Sequence, residues 1–251
     1  METVSHDGRT TAYRTASDDD PTVCYIHGAG GAHDVWTQQF RGDAPPAVAL
    51  DLSGHGESDD ISADAGTETL DAYADDVVAV CEATGASVLC GNSMGGAVAL
   101  WIVLERAFEP DGLILADTGA KLSVDPDFLD TISADFEGAV DFLHRPDMLF
   151  HEPSDELVEP SRQALLETGQ DVTLRDFETC DAYDVRDRVG TVSVPTLALC
   201  GEHDPLTPPA FHEFLADELP DCSLTIFDDA AHMPMLERPA AFNEAVRSFL
   251  D

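Results

Sequence analysis

The chain has 251 residues, 43% of them hydrophobic, and sets 50 acidic against 12 basic side chains, a formal net charge of −38. That apolar fraction supports one sizeable core, which excludes a disordered chain, and the length suits a single domain or a domain with an insertion. So acidic a chain lacks the basic footprint that nucleic acid or an anionic membrane surface demands, and both are excluded as partners.

The first ten residues lack the basic region and apolar run of a secretory leader, and no run of about 18 apolar residues is present to span a membrane. Two weakly alternating stretches near residues 2–5 and 10–15 are a candidate antiparallel edge. Asp18-Asp19-Asp20 is a solvated loop. Near-continuous apolar runs then follow at Thr22 to Ile26, Ala47 to Asp51, Ser87 to Gly91, Gly112 to Ala116, Thr196 to Cys200 and Ser223 to Phe227. Such runs suit central strands of a mostly parallel sheet with helices on both faces. Helical patterns at Thr69 to Thr84, Ser93 to Phe108, Pro208 to Leu219 and Pro239 to Leu250 alternate with them, giving an α/β fold. From about Lys121 to Gly190 the rhythm breaks into acidic, helical text punctuated by Pro126, Pro146, Pro153 and Pro160. That segment is too long for a bare loop and is expected to form a mostly helical cap inserted after the sixth strand, over one end of the sheet. The six cysteines form no C-x-x-C pair and are expected to be buried free thiols.

The sharpest chemical signal is Gly91-Asn92-Ser93-Met94-Gly95-Gly96, directly after a strand and directly before a helix. A serine on so tight a turn needs tiny residues on either side, and the turn lifts its hydroxyl above the sheet beside the positive helix end. A serine hydroxyl is a weak nucleophile without a base, and the base needs an orienting acid. Asp204 in Gly201-Glu202-His203-Asp204-Pro205 and His232 in Ala230-Ala231-His232-Met233-Pro234 each follow a predicted strand, on the same rim as Ser93. Asp117, after the strand ending at Ala116, is the competing acid.

In these motifs and their order of Ser, Asp and His, the whole chain resembles the α/β-hydrolase superfamily, in its capped branch with a serine nucleophile. His27-Gly28-Ala29-Gly30-Gly31 and Asp51-Leu52-Ser53-Gly54-His55-Gly56-Glu57-Ser58 match further family turns, while Ala231 stands where Gly often precedes the histidine. The resemblance implies an α/β-hydrolase fold over residues 1–251 with the cap at about 121–190, an oxyanion hole from the amides of Ala29 and Met94, and no cofactor. It implies a small-molecule carbonyl substrate, with carboxylic esters as the leading class. A meta-cleavage-type C–C hydrolase, an enol-lactonase, a perhydrolase, a thioesterase and a hydrolase-derived ligand receptor with little turnover stay open.

Gly28, Gly30, Trp36 and Met233 are candidate pocket residues, with core packing an equal alternative for Trp36, and Met94 and Met235 flank the same turns. Trp101 is expected in the core. His27 and His55 are expected to stabilise turns, and His203 to point away from the site. His33, His144 and His151 are candidates for the pocket mouth, whereas His6 and His212 look solvated. No histidine pair has the spacing and acid of a metal site. An anionic substrate would need an anchor such as Arg106, Arg145, Arg162, Arg175 or Arg186.

The acid is mostly Asp, 33 against 17 Glu, and Lys121 is the single lysine beside 11 arginines. Repulsion among the net charges is on the order of 10 kcal/mol at about 0.1 M salt and becomes negligible near 1 M. The composition is that expected of a cytoplasmic protein, a monomer or small homo-oligomer, from a salt-loaded cell.

Overall fold

In the computed structural model, which describes residues 1–16, 22–42 and 44–251, the strands form one sheet ordered β1-β2-β4-β3-β5-β6-β7-β8. They are β1 Glu2–His6, β2 Arg9–Thr15, β3 Val23–Ile26, β4 Ala47–Leu50, β5 Val88–Asn92, β6 Gly112–Ala116, β7 Thr196–Gly201 and β8 Cys222–Phe227. The acidic run Asp18-Asp19-Asp20 lies outside the described residues. β1 and β2 pair antiparallel and β2 joins β4 antiparallel, whereas β3 to β8 pair parallel. Every residue of β3 to β7 is buried, which is why these strands are apolar without alternation.

The period of two still decides which core each residue joins. Cys24 and Ile26 of β3 face one core with Leu50, Leu89, Leu113 and Leu115; Val23 and Tyr25 face the other with Ile114, Leu199 and Phe227. The first core is closed by α1 Thr67–Thr84, α2 Met94–Glu105 and α7 Pro209–Glu218, and the second by α9 Pro239–Leu250, preceded by the short helix α8 Pro234–Glu237. Trp36 belongs to this second core: it is fully buried and stacks on Tyr25 with ring centroids 4.7 Å apart. An indole buried this completely is worth about 3 kcal/mol or more to the core and has no face left for a ligand, so it is not a pocket residue.

Between β6 and β7 lie α3 Pro126–Ala134, α4 Phe136–Leu143, α5 Asp155–Thr168 and α6 Gln170–Ala182. Pro126 opens α3, and Asp125 caps it by accepting from the Asp127 amide at 2.9 Å. Pro146 and Pro153 fall between helices, but Pro160 sits inside α5. The four helices share a small core of Val140, Leu143, Phe150 and Leu165, with Phe128 packed edge-on against Phe177 at 5.2 Å. Against this cluster rest Leu206, Met233 and Leu236, which come from loops and a short helix at the carboxyl end of the sheet. Trp101 is only half-buried: its indole N–H donates to Asp71 and Arg188 lies over its ring. All six cysteines are free, and only Cys222 is not fully buried. Among the described residues no helix is long and apolar enough to cross a membrane.

Candidate active site

Ser93 stands between β5 and α2 with φ 54° and ψ −119°. A side chain in that region is strained, so α2 begins only at Met94, one residue after the helical pattern suggests. A Cβ at Gly91 would overlap the Gly95 carbonyl, and one at Gly95 would overlap the carbonyl of Ile26, so only glycines let the turn close against β3. Thr118 Oγ1 donates to the Ser93 carbonyl at 2.7 Å and holds the turn from below.

Asp204 follows β7 and His232 follows β8. His232 Nδ1 lies 2.9 Å from Asp204 Oδ2, so Nδ1 carries a proton and donates it to the carboxylate. Burial opposes the charge on Asp204, but His232 beside it and donors from Thr207 outweigh burial and hold the carboxyl below its ordinary range. Those donors are Thr207 Oγ1 at 2.6 Å and the amides of Leu206 and Thr207 at 2.8 and 3.1 Å. The histidine loop is fixed at both ends: Glu237 accepts from the Ala231 amide at 2.8 Å, and Asn92 Nδ2 donates to the His232 carbonyl at 3.2 Å.

Asp117 makes no such contact with the imidazole. Its Oδ1 accepts from the Gly201 amide at 2.9 Å, while its Oδ2 is buried without a hydrogen-bond partner among the described residues. Burial first, then the charge of Asp204, push its carboxyl well above the ordinary range, which favours its protonated form.

Ser93 and His232 open into one cavity of about 1450 Å³ between the sheet rim and the helices α3 to α6. Gly28, Ala29, Gly30 and Met233 line it, as do Phe128 and Leu165 from above. Met94 and Met235 are fully buried in the two cores instead. As the first residue of α2, Met94 has an amide without an intrahelical partner. The Ala29 amide donates to no other backbone group among the described residues.

The histidines divide by burial. His27 is neutral, with its pKa lowered to about 4 by burial and by the charge of nearby His55; its Nδ1 donates to the Gly28 carbonyl and its Nε2 accepts from the Leu52 amide. His33 reaches the cavity wall while bonded to Asp51 at 2.8 Å. His144 is instead held by the Val140 carbonyl and Ser161, and His151 stacks on His203 with centroids 3.8 Å apart, away from the cavity lining. His6 and His212 are not solvated. His6 lies against Thr11 and Asp76, and His212 is wholly buried, accepting from the Thr118 amide at 2.9 Å with its pKa lowered by burial to about 4. Of the candidate arginines only Arg145 lines the cavity, lying over the Phe142 ring at 5.0 Å; Arg106, Arg162, Arg175 and Arg186 pair with carboxylates.

The sequence profile described as the Alpha/beta hydrolase family matches residues 25–245. The chain belongs to that family. Among solved structures it is similar to one described as a thermophilic esterase, 32% identical over 99% of this chain and 96% of the other, with a TM-score of 0.87. Among curated proteins it is 29% identical to the pimeloyl-[acyl-carrier protein] methyl ester esterase of Neisseria meningitidis, over 91% of this chain and 76% of the relative. It is 25% identical to 3-oxoadipate enol-lactonase 1 of Acinetobacter baylyi, over 92% of this chain and 88% of the relative. Membership of that family makes the chain a hydrolase enzyme acting on small-molecule substrates.

Several polar groups of the site carry no local signal in the sequence. Thr207, three residues beyond Asp204, is the most accessible to reading, because a hydroxyl at that offset bends back onto an aspartate. Glu237 and Asp176 are not: each is an acid within a helical stretch, and only the fold shows what it grips.

Proposed function

We propose that this α/β hydrolase cleaves carboxylic esters through an acyl-enzyme on Ser93. His232 Nε2 takes the hydroxyl proton as Ser93 Oγ attacks the carbonyl carbon, and Asp204 holds the imidazole tautomer and stabilises its developing positive charge. The amides of Ala29 and Met94 receive the oxyanion. Collapse expels the alcohol, which takes the proton from His232, and water activated by the same imidazole releases the acid. The observation that carries this reading is a strained serine and an aspartate-held imidazole opening into one cavity.

The helices α3 to α6 act as the cap over about residues 121–190. Its inner wall of Phe128, Phe142, Leu149 and Leu165 suits an uncharged, apolar acyl or aromatic group, and Arg145 is the single arginine on a lining that also carries Asp125, Asp127, Asp135 and Glu156. Ring-opening of an enol-lactone is the second reading, favoured by the relative from Acinetobacter baylyi. The protein works in the cytoplasm of a salt-loaded cell as a monomer or small homo-oligomer, without nucleic acid or membrane partners.

The test is a panel of p-nitrophenyl esters and lactones in about 2 M KCl, where charges are screened within about 2 Å. Turnover of neutral esters, abolished by Ser93→Ala, and a covalent adduct with a fluorophosphonate are expected. Faster turnover of a carboxylate-bearing enol-lactone would reverse the order of the two readings, and absence of both turnover and adduct would sink them together.

A further inference from the structure

The cap closes on one residue beside the proposed oxyanion donor. The Gly30 amide donates to Asp176 Oδ2 at 2.9 Å, and the Gly30 carbonyl accepts from Thr168 Oγ1 at 3.0 Å. Thr168 is the last residue of α5 and Asp176 lies in α6, so both grips come from the segment between β6 and β7. Gly30 has φ +65°, and the place a Cβ would take is filled by Leu165 and Thr173 of the same helices. Only glycine fits there.

Asp176 is fully buried and accepts from three donors: the Gly30 amide, His55 Nε2 at 2.8 Å and the Tyr73 hydroxyl at 2.6 Å. His55 Nδ1 faces the Ser53 carbonyl at 3.2 Å, so both ring nitrogens donate and the ring is charged. Burial opposes charge on each partner, yet each outweighs it for the other: Asp176 is held below its ordinary range and His55 above. A buried ion pair is an expensive way to stabilise a fold, since apolar side chains of similar volume often serve as well. What it provides is a fixed acceptor at one point of the loop.

That point lies one residue beyond the Ala29 amide. The Gly28 carbonyl is held by His27 Nδ1 at 2.8 Å and the Gly31 amide at 3.1 Å. Because the peptide is planar and trans, the Ala29 N–H points the opposite way. Upstream, the amide is thus aimed by its own peptide plane; downstream, Asp176 pins the Ala29–Gly30 peptide through its N–H and Thr168 pins the Gly30–Gly31 peptide through its C=O.

We propose that Asp176 and Thr168 are positioning residues for the oxyanion hole, fixing the two peptides that follow Ala29 so that the loop holds the Ala29 amide, in the Gly28–Ala29 peptide, toward the developing negative charge. The inference rests on the acyl-transfer reading above. It makes the cap a part of transition-state stabilisation as well as an enclosure for substrate.

Thr168→Val, Thr168→Ser and Asp176→Asn are compared with wild type by thermal melting, by kcat and KM on p-nitrophenyl butyrate, and by inhibition with a trifluoromethyl ketone. Thr168→Val and Asp176→Asn are expected to lower kcat by about 10-fold to 100-fold, less than deletion of an oxyanion donor. KM should stay within about 2-fold, and ketone affinity should fall in step with kcat/KM, since the ketone adduct carries the oxyanion. Thr168→Ser, which keeps the hydroxyl, should restore kcat. A folded Thr168→Val or Asp176→Asn with unchanged kcat, or with its loss confined to KM, overturns the inference. If Asp176→Asn does not fold, the Thr168 pair decides alone. Wild-type turnover with fully active variants removes this inference only, whereas a wild type without turnover or fluorophosphonate adduct removes the acyl-transfer reading with it.

Discussion

Asp117 and Asp204 place carboxylate oxygens within 4.8 Å of each other at the ends of the adjacent strands β6 and β7, and their acidities are shifted in opposite directions, Asp117 up and Asp204 down. Two like charges that close cannot both persist in a buried site, and the donors from Thr207 and His232 assign the charge to Asp204. Asp117→Asn therefore replaces a protonated acid by its isostere and should keep kcat/KM within about 3-fold of wild type. Asp204→Asn leaves the imidazole without its anionic partner and should lower kcat by about 10³-fold to 10⁴-fold. Ester kinetics on the two variants check both outcomes, and near-full activity of Asp204→Asn would transfer the acid role to Asp117.

The same pair fixes a pH dependence of stability. Asp117 is raised in the folded state, so its contribution is full below the ordinary carboxylate range and is lost as pH rises through that range toward its folded value. Asp204 is lowered, so its contribution is present above the ordinary range and is lost as pH falls through its folded value. Asparagine at position 117 has no proton to lose on unfolding. The melting temperature of Asp117→Asn relative to wild type should therefore climb between about pH 4 and pH 7. Parallel melting curves for the two proteins across that interval would mean that Asp117 is ionised in the folded state.

Strain at Ser93 is a stability reserve that the reaction ties up. Ser93→Gly removes both the hydroxyl and the Cβ that makes φ 54° unfavourable. The variant should be inactive and yet more stable by about 1 kcal/mol, a rise in melting temperature of about 2–4 °C for a chain of this size. Calorimetry under matched salt tests this, with Ser93→Ala, which keeps the Cβ, showing little gain.

Salt dependence follows from the charge of −38. Raising KCl from about 0.1 M to about 2 M shortens the screening length severalfold and should raise the melting temperature and the ester turnover together. A protein with equal melting temperatures at both salt levels would show that its surface charge is neutralised in some other way.

The strands and the turns after them were legible because their signals are local: five apolar residues ending in Gly, Asp or His describe a buried parallel strand whatever lies around it. Ser93, Asp204 and His232 could be singled out as candidates for the same reason, each being marked by the few residues on either side. Trp36 and His212 were not, because burial of a single side chain depends on which helix face meets which strand, and the flanking residues of either would also suit a surface position. Asp176 lies further beyond reading still. An acid in an acidic stretch looks solvated until the fold brings His55, Tyr73 and the Gly30 amide to it from three separate segments.

The hydrogen bond from Asn92 to the His232 carbonyl ties the residue before the nucleophile to the backbone of the base. The loop after β8 is thereby riveted to the end of β5, and a displacement of one carries the other with it. In the proposed reaction, that tie couples the backbone of the base to the residue before the nucleophile. Whatever opens to admit an ester and release an acid can be the roof alone, leaving the reacting groups in register from one turnover to the next.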